Sequence, residues 1–116
     1  SYKILENEDF ISFLDINPIK EGHTLVVPKL QVDYIYDLPN DVFSGLFNFS
    51  KIVAQKIKRA IECDRIGISV VGLEVPHAHI HLIPINEISD MSFESPRIHP
   101  SKIELNKILK KIKSSK

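Results

Sequence analysis

His77, His79 and His81 occupy alternate positions in the run His77-Ala78-His79-Ile80-His81-Leu82-Ile83-Pro84. Residues two apart on an extended strand share a face, roughly 6.6–7 Å apart. The alternation therefore predicts three imidazoles on one side of a strand, with Ala78, Ile80 and Leu82 on the other. Three of the chain's five histidines fall within these five residues. Their ordinary pKa of about 6.5 suits proton transfer near neutrality. Such a row can bind a metal, shuttle protons or attack an electrophile. Three neutral imidazoles plus water suit zinc, but His77 and His81 would lie roughly 13 Å apart on one strand, a poor fit to a single ion. An extended anion such as a polyphosphate, lying across the histidines, fits better.

Other segments must hold that strand in place. Tyr2–Leu5 and Phe10–Asp15 read as short alternating strands, and Asn17-Pro18 with Glu21-Gly22 as the loop that follows. His23–Val27 reads as a β-branched strand closed by Pro28, and Ile66–Val71 as another, joined to the histidine strand by the turn Gly72–Pro76. Val42, Leu46, Phe49, Val53, Ile57 and Ala60 recur three or four apart, which predicts a long helix with one apolar stripe and an N-cap at Asn40 or Asp41. A last helix is expected over about Ser101–Lys113, with Ser101 and Glu104 as a capping box and Ile103, Leu105, Ile108, Leu109 and Ile112 near helical spacing. His99 reads as solvated, and Met91 and Phe93 as packing residues. The expected architecture is α+β: an antiparallel sheet of about five strands with a long central helix and a C-terminal helix.

Composition narrows the class. The 116 residues, 43% hydrophobic and 26% charged, fit one globular domain over 1–116. Fifteen basic side chains balance fifteen acidic ones, which argues against a nucleic-acid binder relying on a positive field. Lys107, Lys110, Lys111, Lys113 and Lys116 cluster near the end and read as a solubilising face. No apolar run is long enough to span a bilayer, so no membrane association is expected. One cysteine, Cys63, fits a reducing compartment, and the expected location is cytoplasmic.

His77-Ala78-His79-Ile80-His81-Leu82-Ile83 resembles the signature of the histidine triad (HIT) family, in which three histidines alternate with apolar residues. A second block, Phe13-Leu14-Asp15-Ile16-Asn17-Pro18 followed by Gly22-His23-Thr24-Leu25-Val26-Val27-Pro28-Lys29, resembles the family's upstream segment at the right distance and order. The resemblance covers roughly residues 2–84, is nearest the Hint-like branch, and leaves 86–116 as a C-terminal extension.

The resemblance implies a nucleotide hydrolase or nucleotidyl transferase. Such an enzyme cleaves a nucleoside 5′-phosphoramidate or polyphosphate at the α-phosphate through a nucleotidyl-histidine intermediate. His79 would be the nucleophile, its other nitrogen donating to a backbone carbonyl. His81 would hydrogen-bond the phosphate and His77 would orient the strand-to-loop region. Asp15 would receive the ribose hydroxyls, His23 would lie near the pocket, and Ile16 and Phe13 would border a purine base. No metal and no cofactor enter this scheme, and a homodimer is implied. Hint-like members carry a Gly-Gln-Ser/Thr segment where this chain has Gly72-Leu73-Glu74, so Leu73 and Glu74 would face the phosphate and leaving group. Gln31 stands where many members have a further histidine. That departure leaves an alternative: a regulatory nucleotide-binding HIT protein with little turnover.

Overall fold

The structure, a computed structural model, describes residues 1–115; Lys116 of the basic cluster lies outside the described residues. Five strands, β1 (Lys3–Glu6), β2 (Phe10–Leu14), β3 (Thr24–Pro28), β4 (Arg65–Ser69) and β5 (Ile80–Ile85), form one sheet in the order β1-β2-β3-β5-β4. Every neighbouring pair is antiparallel. Helix α1 spans Asn40–Ala60 and α2 spans Lys102–Lys113. This is the expected α+β architecture.

The alternation of each strand decides what its two faces do. Leu14, Thr24 and Leu82 are cross-strand neighbours, as are Ser12, Val26 and Ile80, and all six are buried. They point toward α1, whose Leu46, Phe49, Val53 and Ile57 are buried in the same core as Leu105 and Ile112 of α2. On the opposite face the register runs Phe13, Leu25, His81, Ser69. One face thus holds the core and the other presents His81.

Several local expectations change. Helix α1 begins at Asn40 with Pro39 as its cap and no side-chain cap hydrogen bond, so neither Asn40 nor Asp41 caps it. Proline suits that place because its fixed φ and missing N–H cost nothing at a helix start. In α2 the capping box forms as expected: Ser101 Oγ accepts from Glu104 N, and Glu104 Oε1 accepts from Ser101 N. Ile103, however, is 71% exposed; it sits off the stripe set by Leu105 and Ile112. His99 is exposed, as expected. Among the described residues no helix is long and apolar enough to cross a membrane.

The largest correction concerns the histidine strand. Ladder pairing starts at Val26↔Ile80, so His77 and His79 precede β5 in irregular backbone. The backbone there is satisfied elsewhere: Ala78 N donates to Val32 O and His77 N to Val75 O. The three imidazoles therefore do not form one evenly spaced row.

Two glycines fix approaches that a side chain would spoil. Gly22 has φ +91°, in the left-handed region, and delivers the chain into His23. Gly45, in α1, lies against Phe10: an added Cβ would come within 2.7 Å of that ring, which itself packs on Phe49 with centroids 5.6 Å apart. Helix propensity alone predicts that Gly45→Ala gains about 1 kcal/mol. Overpacking instead predicts a loss of ~1–3 kcal/mol, measurable as a lower urea midpoint at unchanged slope.

Candidate functional site

The ring protons of four histidines can be read from their partners, because a carbonyl only accepts and a backbone amide only donates. His79 Nδ1 lies 2.8 Å from His77 O, so Nδ1 carries the proton. In the neutral ring Nε2 is then left with its lone pair free. His77 Nε2 lies 2.8 Å from Pro28 O and donates to it, tying the pre-strand segment to the end of β3.

His23 and His81 form a directed pair. Ile19 N donates to His23 Nδ1 at 3.0 Å, which leaves the His23 proton on Nε2. That nitrogen lies 3.0 Å from His81 Nδ1, so His81 accepts there and its own proton sits on Nε2. The His79 and His81 rings are 4.8 Å apart at 69°. The site thus sets a ring nitrogen with a free lone pair beside a ring that carries an N–H donor.

Burial keeps the pair neutral. His23 is fully buried and His81 is 7% exposed. Loss of water pushes each imidazole from 6.5 down to about 4, with the neighbouring Arg97 and His79 adding to the effect at both rings. The His23 ring also lowers His81, and Asp15 opposes the shift there. Asp15 follows the end of β2, with Oδ2 3.8 Å from His23 Nε2. Since His23 is neutral, that contact is charge to dipole and not an ion pair. Asp15 Oδ1 accepts from Asn17 N at 2.9 Å, an Asx turn that fixes the carboxylate.

The remaining sequence-predicted residues divide. Phe13 is half-buried on the His81 face, two strands away, and Ile16, beside Asp15, is 56% exposed. Leu73 is 88% exposed and Glu74 is exposed, on the loop before His77. His77 bonds to the β3 end and is not part of the His23–His81 pair. A cavity of 860 Å³ borders Asp15 and His23 but runs toward α2, while a smaller one of 180 Å³, lined by Tyr34, Tyr36, Val71 and Gly72, reaches His79. Among the described residues no group of three or more His, Cys, Asp or Glu side chains is placed to hold a metal ion.

Two further residues adjoin the site: Phe93, expected from the sequence only as a packing residue, and Arg97, which the sequence does not single out. Phe93 packs on His81 at 4.7 Å and 73° and on His23 at 6.4 Å and 83°. Arg97 lies 5.8 Å above the Phe93 ring with Nη1 3.6 Å from Asp15 Oδ2. An aromatic and an arginine four apart in a proline-containing stretch carry no spacing signal that would have singled them out.

Comparison with known proteins now decides the family: the HIT domain model matches residues 1–88. The chain belongs to the HIT family. An uncharacterized HIT-like protein of Methanocaldococcus jannaschii is 33% identical over 117 aligned positions, covering 95% of this chain and 87% of that protein. The adenosine 5′-monophosphoramidase of Saccharomyces cerevisiae is 30% identical over 89 positions, 72% of this chain but only 54% of the yeast protein. The crystal structure of a hypothetical histidine triad nucleotide-binding protein from Sulfolobus tokodaii superposes with a TM-score of 0.81 at 29% identity, covering 97% of this HIT chain and 80% of that one. Some members of the family are thus named as hydrolases.

The buried pair makes stability depend on pH. An unfolded histidine takes up a proton near 6.5, whereas His23 and His81 in the folded chain hold off until about 4. The unfolded state binds more protons throughout that window, so stability is full above pH 6.5 and declines as pH falls toward 4. The expected loss is ~1–3 kcal/mol per imidazole. Glu6, Asp90 and Glu104 have lowered values, so their contributions disappear only below about 4.5. Urea unfolding between pH 7 and 5 therefore isolates the histidines; a flat profile there contradicts their burial as neutral rings.

Proposed function

We propose that this protein hydrolyses nucleoside 5′-phosphoramidates or related nucleoside phosphate derivatives at the α-phosphate, with His79 as nucleophile. The observation that carries the reading is the pair of opposite ring states: a free lone pair at His79 Nε2 beside an N–H at His81 Nε2.

In the first step His79 Nε2 attacks the α-phosphorus, and an N–P bond forms as the bond to the leaving group breaks. The leaving group departs with the bonding pair and takes up a proton. The ring, now bonded at both nitrogens, is positive, and the His77 carbonyl on Nδ1–H stabilises it. His81 Nε2–H donates to a non-bridging oxygen, where charge accumulates during transfer; loss of one such donor costs ~10²–10³ in rate. In the second step water attacks phosphorus and gives up a proton, the N–P bond breaks, and the pair returns to Nε2. Splitting one displacement into two in this way is covalent catalysis. Asp15 receives the ribose hydroxyls, with Ile16 and Phe13 bordering a purine.

His79→Ala should lower release of AMP from adenosine 5′-phosphoramidate by ~10³-fold or more. Mass spectrometry of the quenched wild-type protein should locate a nucleotidyl adduct on His79. Unchanged turnover in the variant overturns the mechanism. Tight AMP binding by calorimetry without hydrolysis of any nucleotide tested would instead favour the regulatory, low-turnover alternative, for which the exposed Leu73-Glu74 loop is the motive.

The reading includes a homodimer. β4 is an edge strand, with unpaired backbone groups along one side. Ile68, Val70 and Val71 at and beyond its end are 50%, 38% and 45% exposed, and Ile52 of the adjoining helix is 51% exposed. This apolar edge supports pairing with a second copy. Light scattering should give the mass of two chains, and Ile68→Asp should give one.

A further inference from the structure

After β5 the chain passes through a 3-10 turn, Ile88–Met91, and residues 92–99 then cross the face that presents His81. This strap is tied to the loop that carries Asp15. Arg97 Nη1 donates to Asn17 O at 2.8 Å, Ile98 N to Pro18 O at 3.0 Å, and His99 Nδ1 to Asn17 Oδ1 at 3.1 Å. Just before it, Lys20 Nζ lies 3.1 Å from Asp90 Oδ1. The HIT domain match ends at residue 88, so the strap lies beyond the matched residues.

We propose that residues 92–99 are a working part of the site: Phe93 is the positioning residue that keeps water off the His23–His81 pair, and Arg97 is the positioning residue that holds the Asp15 carboxylate for the ribose. The proposal rests on the nucleotide reading above and assigns it two further residues.

Phe93 is the aromatic wall against both rings, 4.7 Å from His81 and 6.4 Å from His23. Without it, water reaches His81, and hydration favours the imidazolium. A protonated His81 Nδ1 can no longer accept from His23 Nε2, so the directed pair breaks. The groups facing His81 are His23 from β3, His79 from the segment before β5, Asp15 from the end of β2 and Arg97 from the strap. Only Asp15 among them favours protonation.

Arg97 acts on Asp15. Its guanidinium is held on three sides: by the Asn17 carbonyl, by the Phe93 ring and by Asp15 Oδ2 at 3.6 Å. A guanidinium fixed in this way orients a carboxylate without consuming both oxygens. Asp15 Oδ1 is already held by Asn17 N, so both oxygens have an orienting neighbour and retain lone pairs for sugar hydroxyls.

The test combines a ring titration with a sugar comparison. His81 is followed by NMR in the wild type and in Phe93→Ala, Phe93→Gln and Phe93→Leu. The Ala and Gln variants should raise its midpoint by ~1 unit and move the acid limb of the kcat/KM profile equally, whereas Leu should hold both near wild type. If the Ala variant fails to fold, the Gln variant, which keeps most of the volume, gives the answer. For Arg97→Gln, KM for adenosine 5′-phosphoramidate should rise ~5–10-fold with a much smaller fall in kcat. The 2′,3′-dideoxy analogue should be affected far less, and Arg97→Lys should restore part of the loss. An unmoved His81 midpoint in a folded Phe93→Gln protein overturns the role of Phe93. Equal loss on both sugars overturns that of Arg97. Should the wild type hydrolyse no nucleotide, the functional reading fails on its own: the titration still judges Phe93, and calorimetry with AMP and 2′,3′-dideoxy-AMP still judges Arg97.

Discussion

The amide of Ile19 donates to His23 Nδ1, and the proton order of the buried pair follows from that bond. It forces the His23 proton onto Nε2, which forces His81 to accept at Nδ1 and to carry its own proton on Nε2. The carbonyl of His77 imposes the opposite state on His79. Two backbone groups thus set the protons of three imidazoles, and they do so through loop geometry. The β2–β3 connection must bring Ile19 to His23, which Gly22 permits at φ +91°. The segment before β5 must turn the His77 carbonyl back toward the ring two residues on. In the buried pair the order holds only while His23 and His81 stay neutral, and burial supplies that condition. It also makes the pair costly to keep in acid: the same loss of water that preserves the hydrogen-bond direction sets the protonated state against the fold.

How much of this was legible depended on whether the responsible contacts were local. The stripe of Leu46, Phe49, Val53 and Ile57 is legible because helical periodicity is a property of adjacent turns, and each of these residues is buried as expected. The Ser101–Glu104 capping box spans four residues and was readable for the same reason. The histidine run was misread in part. Alternation is a strand signal only where a neighbouring strand offers its backbone. β3 stops pairing with β5 at Val26↔Ile80, and the Pro28 carbonyl is taken by a side chain, His77 Nε2. Nothing in the run itself announces that. Proline at 28 hinted at an end to β3, but not that a histidine would occupy its carbonyl.

Within the site, Asp15 and His23 were legible only through the resemblance of their segment to the HIT family, and the structure brings them together with His81. Phe93 was legible only as a packing residue, and Arg97 not at all. Their partners lie 70 and 82 positions away in the sequence, at His23 and Asp15, and the stretch between carries no periodicity linking them. Leu73 and Glu74, which the resemblance expects to face a phosphate and its leaving group, stand exposed on the loop before His77. Spacing identifies residue types that chemistry needs; the partner that sets a ring's proton is a matter of tertiary structure.

Nitrogen-15 spectroscopy of the imidazole rings at pH 7 reads the proton order directly in the unmodified protein. The hydrogen bonds predict that the neutral His79 ring carries its proton at Nδ1 and leaves Nε2 unprotonated, and that His23 and His81 are neutral and both protonated at Nε2. A neutral His79 ring protonated at Nε2, or an imidazolium at either buried ring, would contradict that order.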